Sequence, residues 1–387
     1  MSKSNISLNI ISIVLILVLF FAFLIWHNFY DIIGLKLYEN EPIAKMFSFH
    51  NTNYILTDEG YAYVMGEYNS TSRKYRNSES YKNQKLGTPA PVRICDEKIT
   101  KIIPYDKLGA LLINEDGAIS DFNDFTLVKI FDSASYAIRG NYEHGEKIFG
   151  EGNESLYYII DVNDSLYAAN NDGQLKELFL DVAAVDYYLD TILVLFKSGD
   201  LNQYLISDNG SIVHKETIFE NVLSFDIEDT SIRYDGEKFV FDDENAQNTP
   251  LINVLTKEGS LYVIGAYNLL CCTRSIAAYP EPKIISEWTR IAENVENFSL
   301  APMGTAIKFK NSTVGYYGFD TDNSSDSEFK FGYIDLDLTD VIDVYASDVK
   351  IFVKTEQTFY VWGYSTIYNA DGRNNNLFDG TPIVISP

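Results

Sequence analysis

The chain has 387 residues, 46% of them hydrophobic and 14% aromatic, so it can bury a large core and does not read as a disordered polymer. Its 55 acidic and 30 basic residues leave a formal charge of −25, which repels phosphate backbones and argues against nucleic acid as a partner. Three cysteines, Cys95, Cys271 and Cys272, are too few for a disulfide scaffold and form no CxxC zinc pair. They are expected to be buried free thiols, with a bridge from Cys95 to one of the others as the alternative.

In chain order, a short tail (1–5) precedes ISLNIISIVLILVLFFAFLIW, Ile6 to Trp26, which carries no charge. At about 1.5 Å per residue such a helix spans roughly 30 Å, the thickness of a bilayer's hydrocarbon core. Trp26 and Tyr30 sit where interfacial aromatics belong. The following HNFYDIIGLKLYENE offers no small-residue cleavage site, which favours an uncleaved anchor over a signal peptide. Lys3 precedes the helix and Asp31, Glu39 and Glu41 follow it, along with Lys36 and Lys45, a balance that points weakly to a cytoplasmic N-terminus and an extracytoplasmic C-terminal domain. Residues 27–42 then serve as a juxtamembrane linker.

From residue 43 to 387 one pattern recurs: an apolar strand, a turn rich in Asp, Asn and Gly, then a strand rich in Tyr and Val. The clearest copies are NYILTDEGYAYVMG (Asn53–Gly66), GALLINEDGAIS (Gly109–Ser120), NVLTKEGSLYVIG (Asn253–Gly265) and IFVKTEQTFYVWG (Ile351–Gly363). Weaker ones begin at Tyr157, Leu193, Ser231 and Ala306. Glycine in Asp-Glu-Gly and Glu-Asp-Gly supplies the positive φ of a tight hairpin. Apolar segments such as ITKIIPY (Ile99–Tyr105) precede the hairpins, and segments such as TPAPVRI (Thr88–Ile94) follow some of them. That makes about four strands per unit, the content of a propeller blade. The turns at Gly236 and Gly259 lie too close together for separate blades, so they are read as one irregular blade. The expected fold is an all-β, seven-bladed propeller behind one transmembrane helix, with six or eight blades as alternatives. Its last strand, TPIVIS (Thr381–Ser386), is expected to complete the first blade and so close the ring.

The order of these elements resembles the RCC1-like (regulator of chromosome condensation) propeller repeat. LTDEGYAYVMG (Leu56–Gly66) with NQKLGTPAPVRI (Asn83–Ile94), and FVKTEQTFYVWG (Phe352–Gly363) with TPIVIS, carry the resemblance. The motifs are degenerate: only Trp362 keeps the signature Trp before Gly, and Gln84-Lys85-Leu86-Gly87 only approaches Gly-Gln-Leu-Gly. The family implies guanine-nucleotide exchange platforms in nuclei, or protein inhibitors and adhesive modules in bacteria. A membrane anchor and a strongly acidic chain contradict the chromatin-bound role.

No catalytic constellation stands out. His27, His50, His144 and His214 occur singly, and no nucleophile elbow, P-loop, HExxH or Asp-box pattern is present. No cofactor or metal site is expected, and the acidic loop Asp320–Glu328 reads as solvated rather than calcium-binding. Tyr and Arg enrich protein-binding surfaces, and they gather in two inter-strand loops. Tyr68, Arg73, Tyr75, Arg76 and Tyr81 lie in one, Tyr267 and Arg274 in the other, and these seven are the candidate binding residues. The expected function is therefore a non-catalytic, membrane-anchored module binding a protein or other ligand at a bacterial cell surface, of undetermined oligomeric state. A carbohydrate-active propeller using inter-blade carboxylates and a structural envelope component are the alternatives.

Overall fold

The computed structural model describes residues 43–49, 52–66, 92–106, 109–150, 156–228, 232–234, 239–241, 250–267, 282–320, 330–347, 350–356, 359–363 and 383–385. Within them the chain forms seven four-stranded antiparallel sheets and one two-stranded ribbon. The sheets are blades one to seven, spanning 43–93, 99–131, 134–179, 182–219, 222–292, 295–335 and 341–385. The first strands are Ile43–Phe49, Ile99–Asp106, Ala134–Gly140, Val182–Tyr188, Val222–Glu228, Val295–Ala301 and Val341–Ser347. Each touches the next, and the last returns to the first, so they line the axis of a closed ring. The expected seven-bladed propeller is thus the observed one. The ribbon, Ile232–Tyr234 paired with Phe239–Phe241, sits between the first two strands of blade five. It accounts for the crowded turns at 236 and 259.

Two features of sequence explain the blades. The second strands GALLIN, LYYIID, TILVLF and LINVLT read as continuous apolar runs because both faces of each sheet are covered by neighbouring blades. In blade two, Ala110 and Leu112 pack toward blade one, whereas Leu111 and Ile113 pack toward blade three. The other seams repeat this arrangement, and their buried clusters run round the whole ring.

The second feature is a repeated staple at the hairpin turns. Each of these turns between second and third strands ends in a residue with positive φ: Gly60, Gly117, Asp164, Gly199, Gly259 and Ser312. Its carbonyl accepts a hydrogen bond of 2.7–3.0 Å from the first N–H of the next blade, given by Ile99, Ala134, Val182, Val222, Val295 and Val341 respectively. A β-bulge follows at once in every first strand, as between Val222 and Ser224 or Val341 and Asp343. At Gly117, with φ of 79°, an added Cβ would lie 2.9 Å from the Ala134 carbonyl, so glycine is required there by both conformation and space.

Ring closure differs from expectation. The final strand, Ile383–Ile385, pairs with Phe359–Gly363 and is the outer strand of blade seven, not part of blade one. Blades one and seven close the ring by packing faces instead: Ile43, Met46, Ile55 and Tyr63 bury against Phe352 and Phe359. Phe47 meets Tyr345 edge-on at 5.4 Å, and Lys354 Nζ donates to the Ala44 carbonyl at 3.2 Å. Blade seven is filled by its own four consecutive strands, so the last of the described strands completes that blade and does not bridge the seam.

A helix, Tyr142–Phe149, was not anticipated from the strand pattern; it joins the first two strands of blade three. Asn141 caps it by accepting from the His144 N–H at 2.7 Å. Among the described residues no helix is long and apolar enough to cross a membrane. Residues 1–42, and with them the anchor and linker, lie outside the described residues.

Candidate functional site

The antiparallel registers give the ring two unlike ends. First strands start, and second and third strands meet, at a turn end built of the short stapled hairpins. First strands finish at the opposite, loop end, where third and fourth strands also join. Tyr267 pairs with Lys283, Asp320 with Lys330 and Val361 with Ile383 at that end. Every long excursion therefore leaves from the loop end: segments 67–91, 268–281, 321–329 and 364–382, the helix of blade three, and the 229–250 insertion carrying the ribbon.

Two clusters of buried polar groups lie beside this end. Between blades two and three, Asp121, only 7% exposed, accepts from the Tyr105 hydroxyl through Oδ1 and lies 2.6 Å from the Tyr157 hydroxyl through Oδ2. Arg139 approaches the same carboxylate at 3.9 Å and stacks over the Tyr105 ring at 4.4 Å. Burial and the neighbouring Asp121 carboxylate push the Tyr105 phenol well above its ordinary range. Between blades three and four, His144 is wholly buried, with Nδ1 2.9 Å from the Tyr158 hydroxyl and its ring edge-on to Tyr187. Burial pushes its pKa down to about 4, partly offset by the Leu189 carbonyl, so the imidazole is neutral at physiological pH.

The ring axis carries a separate pair. Asp186 and Asp226 occupy equivalent positions on the first strands of blades four and five. Asp226 accepts from the Ile227 N–H at 3.0 Å and, across the seam, from the Leu300 N–H at 3.2 Å. Burial pushes its carboxyl up to about 6, less than it otherwise would because these two N–H groups favour the anion. Asp186 is raised well above the usual carboxylate range by burial and by the charge of Asp226. Tyr136, from blade three, is raised by burial and by both carboxylates, and its ring lies 5.9 Å from Lys101 Nζ.

Of the seven predicted binding residues, Tyr68, Arg73, Tyr75, Arg76, Tyr81 and Arg274 lie outside the described residues, in segments whose flanking strands end at the loop end. Tyr267 corrects the surface reading. Its side chain is fully buried against blade six, and its hydroxyl lies 2.9 Å from Thr305 Oγ1, which also accepts from Asn253 Nδ2 at 2.6 Å. It closes a third strand and faces the seam, so it braces the loop end from below. The sequence did not single out Asp121, Asp186 or Asp226, because each is one acidic residue among many and gains its meaning from neighbours on other blades. Cys95 is a half-buried free thiol, and Cys271 and Cys272 lie outside the described residues. Among the described residues no three His, Cys, Asp or Glu side chains gather as a metal site. Most of the acidic loop Asp320–Glu328 falls outside them.

No family model matches the chain, and no curated protein matches it either. Solved structures similar to it include Prp20p of Saccharomyces cerevisiae, the yeast RCC1, described with its binding to Gsp1p and histones. That match has 12% identity and a TM-score of 0.44, and covers 89% of this chain and 77% of the yeast one. PorZ, a surface component of the type-IX secretion system of Porphyromonas gingivalis, is similar at 10% identity and a TM-score of 0.47, over 90% of this chain but 38% of its own. Human WBSCR16 matches at 12% identity and a TM-score of 0.43, over 90% of this chain and 83% of its own.

Proposed function

We propose that the chain is a membrane-anchored, extracytoplasmic and non-catalytic binding module that captures a protein partner at the loop end of its propeller. The observation that carries the reading is the asymmetry of the ring: the turn end is held by short, regular staples, while every long excursion issues from the other end. A rigid scaffold presenting variable loops on one side is the usual way to build a recognition surface. The strands that flank the Tyr- and Arg-rich segment 67–91 join at that end, and the uncharged stretch Ile6–Trp26 supports the anchor.

The test is a pull-down with the full chain in mild detergent against solubilised envelope and secreted proteins. A saturable partner whose capture falls at least tenfold when Tyr68, Arg73 and Arg76 become Ala supports the reading. Capture unchanged by that triple substitution overturns the assignment of the face. A second reading, a carbohydrate-active propeller, draws on the adjacent carboxyls Asp186 and Asp226, one of them raised to about 6. Glycan hydrolysis abolished by Asp186→Asn would favour it.

A further inference from the structure

We propose that the axial channel of the propeller binds a short peptide with free termini, its carboxylate held at Lys45 and Lys101 and its ammonium at Asp186 and Asp226. The site lies on the ring axis and is separate from the loop-end surface proposed above. It follows first from how the seven innermost strands align. After the bulge, the third residues of these strands fall in one layer and the fifth residues in another, about 7 Å closer to the loop end. In the second of these layers Phe47, Ile103, Asp186, Asp226, Ser299 and Tyr345 all keep partial exposure, whereas residues just before them, such as Val185 and Val344, are buried. Side chains midway along the innermost strands of a closed ring reach solvent through the axis, so the axis is an open channel.

The charges round this channel are divided. Lys45 and Lys101 hold the third position in blades one and two, and Asp186 and Asp226 the fifth in blades four and five. Tyr136 of blade three stands between them, its ring 5.9 Å from Lys101 Nζ and its phenol within the field of both carboxylates. Among the described residues none of these four charged side chains makes an ion pair. Each instead faces its own kind. Burial and then the charge of Lys45 push the Lys101 ammonium down, and burial and the charge of Asp226 push the Asp186 carboxyl up. Asp343, a third carboxylate on the innermost strands, is already served: it accepts from Asn297 Nδ2 at 2.8 Å, from the Val344 N–H at 3.0 Å and from the Tyr345 hydroxyl. Two like-charged pairs without counter-ions cost stability, and a ligand carrying both opposite charges relieves both.

The hydrogen bonds point the same way. Both oxygens of Asp226 are taken, by the N–H groups of Ile227 and Leu300. Asp186 has the equivalent place one blade earlier, and its Oδ1 accepts from the Tyr187 N–H at 2.7 Å. The N–H that would serve its Oδ2 by the same rule is that of Ile227, which Asp226 Oδ1 has taken. Asp186 Oδ2 and the Tyr136 hydroxyl therefore have no hydrogen-bond partner among the described residues. An ammonium, with three donors, suits both as acceptors. Across the channel, Lys45 Nζ has no acceptor among the described residues and Lys101 Nζ has the Ser135 carbonyl at 2.7 Å, so each keeps donors for a carboxylate. The two charged layers stand about 7 Å apart along the axis, too far for the two ends of a free α-amino acid and matched by two or three residues at about 3.3–3.6 Å each.

Isothermal titration of the full chain in mild detergent with dialanine and trialanine tests the site. Saturable binding of one or both is expected, with free alanine and the N-acetylated and C-amidated peptides each weaker by about tenfold or more. Asp186→Asn and Lys101→Met are each expected to weaken the peptide by about tenfold, and Tyr136→Phe by about threefold. Asp186→Asn also removes an uncompensated charge, so without ligand it is expected to melt no lower than the native chain. Loss of binding together with an unchanged or raised melting temperature marks a ligand residue, since a structural one would lower it. Should Asp186→Asn melt lower, Tyr136→Phe, which removes a single oxygen, carries the test, and unchanged affinity in that variant overturns the proposal. So does the absence of binding by both peptides, equal binding of their capped forms, or binding of ethylamine as tight as that of dialanine, which would take the lysines out of the site.

Discussion

Replacing Asp226 by Asn changes the charge at one point beside the ring axis while keeping the side chain's volume. The carboxyl of Asp226 is pushed from an ordinary 3.8 up to about 6 by burial. Below 3.8 both folded and unfolded chains carry the proton, and above 6 neither does. Between these limits the folded chain holds a proton that the unfolded chain has released, so stability falls as pH rises and the penalty is complete above 6. At about 1.4 kcal/mol per tenfold change in proton affinity, the move from 3.8 to about 6 amounts to about 3 kcal/mol. An Asn side chain cannot serve both N–H donors that Asp226 now serves, Ile227 and Leu300, and that structural loss costs about 1–3 kcal/mol at every pH. The two effects separate because the lost hydrogen bond does not depend on pH, whereas the charge effects on Asp226 and Asp186 do. Relative to the native chain, the Asp226→Asn variant is expected to gain about 2 kcal/mol between pH 4 and pH 7, because part of the penalty is already present at pH 4, and relief of the neighbouring Asp186 adds to the same sign. Urea unfolding of the full chain in mild detergent, followed by intrinsic fluorescence at both pH values, measures this double difference. A value under about 1 kcal/mol, or one of opposite sign, would show that water in the ring axis hydrates the carboxylate and that burial does not govern it.

Two further outcomes probe the ring itself. Phe352→Ala empties a fully buried position at the seam between blades seven and one and should cost about 3–5 kcal/mol, whereas deleting Thr381–Pro387 only trims the outer edge of blade seven. Thermal melts should therefore show the larger drop for Phe352→Ala; a larger drop for the deletion would restore closure by the last strand. Gly117→Ala forces a positive φ on alanine and crowds the Ala134 carbonyl, so a loss of about 1–3 kcal/mol is expected by the same melts, and a neutral result would remove the staple from the account of ring stability.

Much of this protein is legible in its sequence because its determinants are local. Glycine after Asp-Glu or Glu-Asp marks a hairpin, and a run such as GALLIN marks a strand covered on both faces. Repetition of the two counts the blades, including the irregular fifth. Other properties arise only when blades meet. The last strand's place followed from four consecutive strands filling blade seven, which no local pattern reveals. The helix after Asn141 was missed because a single cap and eight residues with an internal glycine leave little periodicity to read. Tyr267 looked like a surface aromatic beside a polar loop, yet the neighbouring blade supplies Thr305 for its hydroxyl and covers its ring. Asp186 and Asp226 stand forty residues apart, and only the ring sets one carboxyl within the field of the other. Local conformation is written in neighbouring residues; burial, proton affinity and the difference between the two ends depend on side chains brought together from distant parts of the chain.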